Sequence, residues 1–372
     1  MKIAIFSDTH LGYLRFEEDA VVQAERVIKD ASERADLLIC AGDVFDTKIP
    51  KLETIKRAIE IFRLCKKKMY VIHGNHERRT KDVVNPVQLL AAGSSIHFLH
   101  GSSDIFEHNN ERVQILGLGS VPEEYATEAL TNILSKFNSD KDAFRILVLH
   151  QTLKELVPNQ VGNELSLEYL ETLPFDLIVN GHIHETMSRL GGRLLIPGST
   201  VVTQVKKDQT GPRGYFLYDT KTKKEEVIAV PSREFVHIDA KFDSATEAQI
   251  RLELREQIAK TKKEKPNATI AVRVNGTLAE GTESVNLKFN EFSDVFISNH
   301  LANAGLGAKL EKIRFFRSEN LSSRDLAIAE LKKKTEGKIL LFDSSVLFEK
   351  LTIGIEEAQG YLESIKNNAS KS

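Results

Sequence analysis

The chain has 372 residues, of which 41% are hydrophobic and 28% charged, and its formal net charge is −2. Such a composition indicates a globular protein with room for two domains and argues against general disorder. It excludes an overall basic field, so any contact with nucleic acid has to come from a local patch.

The first residues of the chain and its two cysteines indicate the cellular compartment in which the protein is expected. The first residues, MKIAIF, run directly into SDTH, which does not resemble the core and cleavage site of a signal peptide. No apolar run reaches the roughly 18–20 residues that span a bilayer. Cys40 and Cys65 lie in or beside apolar sequence and are expected to be buried thiols rather than a disulfide. We therefore expect a cytoplasmic protein with no membrane contact.

Up to about residue 230, short runs of Ile, Val and Leu are each followed by a glycine or a polar turn. The predicted strands are Ile3–Phe6, Leu37–Cys40, Met69–Ile72, Ile146–Leu149, Leu177–Val179 and Leu194–Ile196. Helical spacing occurs between several of them, at Ala20–Ile28 and Leu52–Leu64. This alternation predicts a layered α/β core in which sheets are flanked by helices. Ligands in such folds gather at the carboxyl ends of the strands.

The pattern changes near Pro231. Strand-like alternation is found at Phe235–Phe242, Ala268–Val274 and Lys309–Phe316, and helical spacing at Thr246–Lys260 and Val285–Asn299. These segments predict a small α+β unit that closes near Arg317. The predicted domains are therefore residues 1–232, 233–317 and 318–372.

The tail is predicted to be mainly helical. After a linker with the sequence ENLSSRD, helices are expected at Leu326–Lys334 and Ser344–Lys366. The second has an apolar stripe with steps of four and three residues. The stripe could pack on the core of the same chain. Because the helix follows a linker after two predicted domains, we favour the second interpretation, in which the stripe is the face of a helix that docks on a partner protein.

Eight polar residues follow the predicted strands and form the candidate site. They are Asp8, His10, Asp43, Asn75, His76, His150, His182 and His184. Each alone has an ordinary explanation as a turn residue, a helix cap or a hydrogen-bonded histidine. Together they appear as Asp-x-His, Gly-Asp, Gly-Asn-His-Glu, a strand-ending His and Gly-His-x-His. On an extended chain, the outer residues of Asp-x-His and His-x-His share a face and can converge on one point.

The residue types indicate a metal site. Carboxylate, imidazole and amide ligands together suit divalent first-row ions such as manganese or iron, whereas structural zinc usually takes cysteine. Eight ligands are too many for one ion, but two ions about 3.5–4 Å apart with a bridging carboxylate account for them. Ion pairs of this kind catalyse phosphoester hydrolysis.

The motifs SDTH, GDVFD, GNHE and GHIH, together with His150, resemble those of the calcineurin-like metallophosphoesterase superfamily. The likeness covers roughly residues 1–220. Within it, SDTHLGY, AGDVFDTKIP, GNHERR, GHIHE and IPGST resemble the meiotic-recombination-eleven/SbcD family of double-strand-break repair nucleases. This resemblance implies a metallophosphoesterase core, made of a β-sheet sandwich flanked by helices, with a small α+β capping domain and C-terminal helices.

The resemblance also implies roles for the site residues. Two manganese ions are expected in each chain. Asp8, His10 and His184 would hold one ion, and Asn75, His150 and His182 would hold the other. Asp43 would bridge the two, and His76 would act on the scissile phosphate or its leaving oxygen rather than bind metal.

The implied activity is a 3′–5′ exonuclease on duplex ends and an endonuclease on single strands. The implied partners are DNA, an SMC-like coiled-coil ATPase bound through residues 318–372, and a second copy of the chain bound through the nuclease domain. The alternatives are a phosphatase or cyclic-nucleotide phosphodiesterase with the same core, and a non-catalytic scaffold. A cap-like domain and a docking tail disfavour the first, and complete ligand motifs disfavour the second.

One position departs from the family pattern, since many relatives carry a histidine where this chain has Asp46. A carboxylate there cannot supply a proton near neutral pH unless its pKa is raised. DNA contacts are harder to read. The candidate residues, chosen for their place beside the motifs, are Tyr13, Arg15, Arg78, Arg79 and Lys81. A solvated charged loop is the competing reading of Arg78, Arg79 and Lys81.

Overall fold

The computed structural model describes residues 1–80, 83–157, 165–203, 211, 213–282, 284–302, 343–353 and 355–369. Its strands are β1 (Lys2–Phe6), β2 (Leu37–Cys40), β3 (Lys68–Val71), β4 (Ile96–Phe98), β5 (Ser102–His108), β6 (Glu111–Leu118), β7 (Phe144–Leu149), β8 (Leu177–Asn180), β9 (Met187–Arg189), β10 (Leu194–Ile196), β11 (Gly214–Asp219), β12 (Lys224–Ala229), β13 (Phe235–Ala245), β14 (Thr269–Leu278) and β15 (Val295–Ala302). Its helices are α1 (Glu17–Arg34), α2 (Leu52–Phe62), α3 (Pro86–Gly93), α4 (Ala126–Lys136), α5 (Leu167–Thr172), α6 (Glu247–Glu264), α7 (Ser344–Ile353) and α8 (Ile355–Ala369).

Two six-stranded sheets form the centre of the fold. Their strand orders are β12-β11-β1-β2-β3-β4 and β5-β6-β7-β8-β10-β9. Strands β1 to β4 run parallel, as do β6, β7, β8 and β10, while antiparallel strands complete the edges. Parallel neighbours bring their carboxyl ends, and the polar turns that follow them, to the same edge of a sheet.

The parallel strands β1, β2, β3, β7 and β8 are buried on both faces along most of their length, which explains their continuous apolar sequence. In β1, Ile3 and Ile5 pack between the two sheets, where they join Ile146 and Val148 of β7. Alternate residues of the first sheet face a second cluster that includes residues of α1 and α2. The second sheet has its own outer cluster with α4 and α5. The predicted layered α/β core, a sheet sandwich flanked by helices, is confirmed.

Side-chain capping fixes where some helices begin. The Asn85 side chain accepts the backbone N–H of Val87, and the Gln88 side chain accepts the backbone N–H of Asn85. Pro86 stands in the first turn of α3, where a missing N–H costs nothing. Asn85 also donates to the carbonyl of Glu77, so this cap ties α3 to the turn after β3.

The described residues divide into two compact units. The first comprises Met1–Asp239, Arg255–Arg273 and Lys288–Ser298, and the second comprises Ala240–Leu254, Val274–Leu287 and Asn299–Ser372. The first unit contains both six-stranded sheets. Strand β14 lies between β13 and β15 in a separate three-stranded sheet.

Outside the sheets of the core, the sequence expectations had mixed outcomes. Helix α6 and strands β13 and β14 were predicted, but the helix expected at Val285–Asn299 was wrong. This stretch contains no helix. Strand β15 begins within it at Val295, where the β-branched and aromatic run VFI favours extended structure. The expected segments Leu326–Lys334 and Lys309–Phe316 lie outside the described residues. The domain boundaries 1–232, 233–317 and 318–372 stay a prediction.

Two simpler expectations can be compared directly with the structure. Cys40 and Cys65 are free, buried thiols, as predicted. The helix expected at Ser344–Lys366 occurs as α7 and α8. Among the helices of the described residues, none combines the length and apolarity needed to cross a membrane.

Candidate metal centre

The candidate ligands occupy the turns after β1, β2, β3, β7 and β8. Several of these turns depend on left-handed backbone rather than on extended chain. Asp8, His10, Asp43 and His182 have φ angles of 54°, 45°, 49° and 73°. Few non-glycine residues adopt this region, and those that do cluster at functional sites. The side chains converge as predicted, but the reason given by the sequence pattern, alternation along an extended strand, was wrong.

The first cluster consists of Asp8, His10 and His184, whose ligand atoms lie within 4.8 Å of one another. His10 Nε2 is 3.2 Å from His184 Nε2. Asp8 Oδ1 is 3.8 Å from His10 Nε2 and 3.5 Å from His184 Nε2. Asp8 and His10 are fully buried. The predicted grouping of these three residues is therefore present in the structure.

The second cluster consists of Asp43, His150 and His182, joined by Asn75. Asn75 Oδ1 lies 3.1 Å from His150 Nε2 and 2.9 Å from His182 Nδ1. Asp43 Oδ2 is 3.3 Å from His150 Nε2. Two imidazoles, a carboxylate and an amide oxygen thus face a single point.

A third group, His10, Asp43 and His76, joins the two clusters. The backbone N–H of His76 donates to Asp43 Oδ1 at 3.0 Å, and the backbone N–H of His10 donates to the Asp43 carbonyl at 3.1 Å, so Asp43 contacts the turns of both clusters. His76 Nδ1 donates to the carbonyl of Asp46 at 2.8 Å, while Asn75 points to the second cluster. The adjacent Asn75 and His76 side chains therefore have different partners, as the sequence predicted.

Most of the imidazoles are oriented by a partner on the side away from the cluster. His10 Nδ1 lies 3.1 Å from Asp46 Oδ1, His150 Nδ1 lies 2.6 Å from the Ala41 carbonyl, and His184 Nδ1 lies 2.6 Å from Thr203 Oγ1. Outer partners of this kind fix the tautomer and orientation of a metal-binding histidine. Asp46, the residue that departs from the family pattern, thus contacts one candidate ligand through its side chain and His76 through its backbone.

The charges of the cluster are strongly coupled. Burial opposes ionisation of Asp8 and Asp43, but neighbouring imidazoles hold the pKa of both carboxyls below the usual value. Burial also opposes protonation of His150, but the Asp43 carboxylate raises the pKa of His150 to about 9. Burial and the adjacent His150 lower the pKa of His182 to about 4. The centre therefore holds two carboxylates with compensating positive charge on His150.

The residues fit a pair of cations. Asp8 Oδ1 is buried and has no hydrogen-bond partner among the described residues. In the neutral form that binds metal, the Nδ1 hydrogens of His10 and His150 face acceptors, so the Nε2 atom of each ring carries a lone pair that points into the cluster. Donor atoms bound to one ion at about 2.0–2.1 Å lie roughly 3–3.4 Å apart. The distances between the ligand atoms here are 2.9–3.8 Å, so small shifts of the side chains would bring them onto an ion. Convergent lone pairs without hydrogens between them repel each other unless a cation lies among them.

Sequence reasoning missed the role of Glu77, although the motif GNHE contains it. Its side chain is completely buried, and its two carboxylate oxygens accept the backbone N–H groups of Phe45 and Gly74. Burial, with a smaller contribution from Asp43, raises the pKa of Glu77 to about 8. A buried acidic residue in a quoted motif was the available signal.

Four of the five candidate DNA-contacting residues are described by the structure, and each has an intramolecular partner. Tyr13 donates to the carbonyl of Thr203, and the Arg15 guanidinium lies 5.3 Å from the ring centre of Phe296. Arg78 donates to Ser120 Oγ at 3.4 Å, and Arg79 to the Val84 carbonyl at 3.2 Å. Lys81 lies outside the described residues. A role in DNA binding stays a prediction for all five.

Comparison with known protein families shows which family the chain belongs to. The model of the calcineurin-like phosphoesterases matches residues 1–186, which is half of the chain. The chain belongs to this family. The candidate ligands Asp8, His10, Asp43, Asn75, His150, His182 and His184 all lie in the matched range.

Several curated relatives of this phosphoesterase carry the name Mre11. The chain is 28% identical over 249 residues to the DNA double-strand break repair protein Mre11 of Methanopyrus kandleri. The alignment covers 59% of this chain and 54% of that protein. The chain is 25% identical over 361 residues to the protein of the same name from Methanococcus maripaludis, covering 89% of each chain. The resemblance to this nuclease family is confirmed. The chain nevertheless spans about half the length of the Methanopyrus kandleri relative and 43% of the Encephalitozoon cuniculi one.

Solved structures give weaker likenesses to this phosphoesterase. The protein TT1561 of Thermus thermophilus is 16% identical with a TM-score of 0.39, covering 62% of this chain and 99% of that one. The NAD nucleotidase of Haemophilus influenzae is 13% identical with a TM-score of 0.34, covering 73% and 57%. Likenesses of this size add nothing to the assignment.

Proposed function

We propose that this phosphoesterase is a manganese-dependent DNA nuclease that processes ends in double-strand break repair. It would degrade duplex ends as a 3′–5′ exonuclease and cut single strands as an endonuclease. The observation that carries the proposal is the pair of adjacent ligand clusters joined through Asp43. The names of the relatives support DNA as the substrate.

Each side chain has a place in the proposal. Asp8, His10 and His184 would hold one ion, Asn75, His150 and His182 the other, and Asp43 would be shared. Bound divalent ions would supply Lewis acidity and neutralise the charge of a phosphodiester. His76 is 37% exposed and donates through Nδ1 to Asp46, so its Nε2 is the nitrogen available for proton exchange with a substrate.

The test uses the purified full chain, manganese, and duplex DNA labelled at either the 3′ or the 5′ end. We expect the duplex to shorten from its 3′ ends, and we expect circular single-stranded DNA to be cut. Asp8→Asn should abolish both reactions, whereas His97→Ala, which changes a half-exposed histidine away from the clusters, should not. Cleavage of p-nitrophenyl phosphate with no attack on DNA would contradict the proposal and favour the phosphatase alternative. Absence of both reactions would favour the scaffold.

We infer that an SMC-like coiled-coil ATPase docks on residues 318–372. The tail contains α7 and α8, and Leu351 and Leu362 expose 52% and 41% of their surface, which suits docking of an apolar face. Deleting residues 318–372 should preserve nuclease activity and abolish co-purification of the ATPase. Unchanged co-purification would contradict the docking site.

We also infer that the phosphoesterase pairs with a second copy through its nuclease domain. Three apolar residues expose much of their surface: Leu52 of α2 (80%), Val84, which precedes α3 (55%), and Leu89 of α3 (45%). Sedimentation of the full chain should give a dimer, and Leu89→Glu should give a monomer. The expected cytoplasmic location stays a prediction.

A further inference from the structure

The outer side of His182 belongs to a chain of hydrogen bonds that runs away from the metal clusters. Thr152 Oγ1 lies 3.1 Å from Glu123 Oε1 and 3.2 Å from His182 Nε2. Thr152 is buried, with 3% of its surface exposed, whereas Glu123 is exposed in a 3₁₀ turn at Glu123–Tyr125. Three side chains from separate loops therefore form one row.

The hydrogens of this row can be assigned one by one. A carboxylate only accepts, so the single hydrogen of the Thr152 hydroxyl points to Glu123. The contact between Thr152 and His182 then requires His182 Nε2 to carry the hydrogen and donate it. A neutral imidazole has only one N–H, so His182 Nδ1 is left with a lone pair. That nitrogen lies 2.9 Å from Asn75 Oδ1, which also offers only lone pairs, so the two atoms are spaced as two ligands of one cation rather than as a hydrogen bond.

We propose that Glu123 and Thr152 are positioning residues that hold His182 in the tautomer able to bind metal through Nδ1. The proposal rests on the metal centre of the proposed function and extends it outward by two residues. Removing such outer partners typically costs 10–100-fold in metal affinity or activity. The row differs from the contact of Thr203 with His184, because here a carboxylate also orients the hydroxyl group.

The tautomer can be measured without metal or substrate. In the metal-free full chain labelled with ¹⁵N-histidine, long-range ¹H–¹⁵N NMR should show His182 with its hydrogen on Nε2. In Glu123→Ala the Thr152 hydroxyl is free to donate to Nε2, so the hydrogen should move to Nδ1. Glu123→Gln keeps an acceptor and should leave the wild-type tautomer. Because Glu123 is exposed, neither change threatens folding.

Metal affinity gives the second measurement. We expect calorimetric titration with Mn²⁺ alone to show one class of sites weakened 10–100-fold in Thr152→Val and Glu123→Ala. Thr152→Ser keeps the hydroxyl and should bind as wild type. Thr131→Val removes a hydroxyl that bonds to the Thr127 carbonyl in α4, and it should also bind as wild type.

Two results would overturn the proposal: a wild-type His182 with its hydrogen on Nδ1, or a Glu123→Ala variant that binds Mn²⁺ as tightly as wild type. Failure of the proposed function looks different. A protein with the expected tautomer and two Mn²⁺ sites that leaves DNA intact would contradict the nuclease assignment and leave the positioning role standing.

Discussion

Glu77 Oε1 accepts the backbone N–H of Phe45 at 2.5 Å, across 32 residues of sequence. The other oxygen accepts the N–H of Gly74 at 2.7 Å. Phe45 belongs to the turn that carries Asp43, and Gly74 to the turn that carries Asn75. One buried carboxyl group thus fixes the distance between two loops of the metal centre.

Glu77→Ala should therefore damage both stability and metal binding. The change leaves two buried N–H groups without acceptors, each at a cost of about 1–3 kcal/mol. We expect urea denaturation to show a loss of about 2–6 kcal/mol and Mn²⁺ titration to show weaker binding. Glu185→Ala, which removes an exposed carboxylate next to His184, is the matched control and should change the stability little. If Glu77→Ala and Glu185→Ala had the same stability and the same Mn²⁺ affinity, Glu77 would not be the residue that fixes the two loops.

Gly74→Ala should displace a ligand of both candidate ions. A Cβ atom at position 74 would lie 1.9 Å from Asp43 Oδ1 and 2.4 Å from the Asp43 nitrogen. A side chain could move away from the new Cβ, but the Asp43 backbone cannot move without displacing the turn. We therefore expect elemental analysis to show loss of bound manganese. Gly360→Ala is the control: beyond the backbone of α8 and the two neighbouring residues, no atom of the described residues lies within 4 Å of the new Cβ, and the helix should gain about 1 kcal/mol. Full manganese content in Gly74→Ala would contradict the geometry of this turn.

Manganese uptake should release a proton. The pKa of His150 in the metal-free protein is raised to about 9, so the ring is protonated at pH 7, and a ligand nitrogen has to be deprotonated. His182, with a pKa of about 4, is already neutral and releases none. Affinity should consequently fall as the pH decreases below 9, by up to about tenfold per unit. Calorimetric titration with Mn²⁺ in two buffers of different ionisation enthalpy measures the number of protons released. Identical binding heats in the two buffers would contradict the release of a proton.

His76→Ala should separate catalysis from metal binding. If His76 exchanges a proton with the substrate, its loss should reduce DNA cleavage by about 10²–10⁴-fold while the manganese content stays at the wild-type level. His97→Ala serves as the control for both measurements. A His76→Ala protein without metal would instead make His76 a ligand, in keeping with its place beside His10 and Asp43.

Much of the site could be predicted from the sequence because the information is local. Each ligand follows an apolar run, and parallel strands necessarily bring their ends to one edge. The residue types then selected the chemistry, since two carboxylates, an amide and imidazoles suit the same class of ion. The helix expected at Val285–Asn299 failed for a related reason. The local sequence pattern fits either a helix or a strand, and the hydrogen bonds to β14 in the folded protein favour strand β15.

The sequence by itself determined which side chains could bind metal and at which strand ends they stand. Only the tertiary structure decided how they are held: the left-handed turns at Asp8 and His182, the Asp46 contact with His10, and the row from Glu123 to His182. These hydrogen bonds join residues 29 to 36 positions apart, and the turns depend on backbone angles that packing imposes. Periodicity along a chain reports which face a residue takes, whereas hydrogen-bond partners depend on which loops the completed fold brings together.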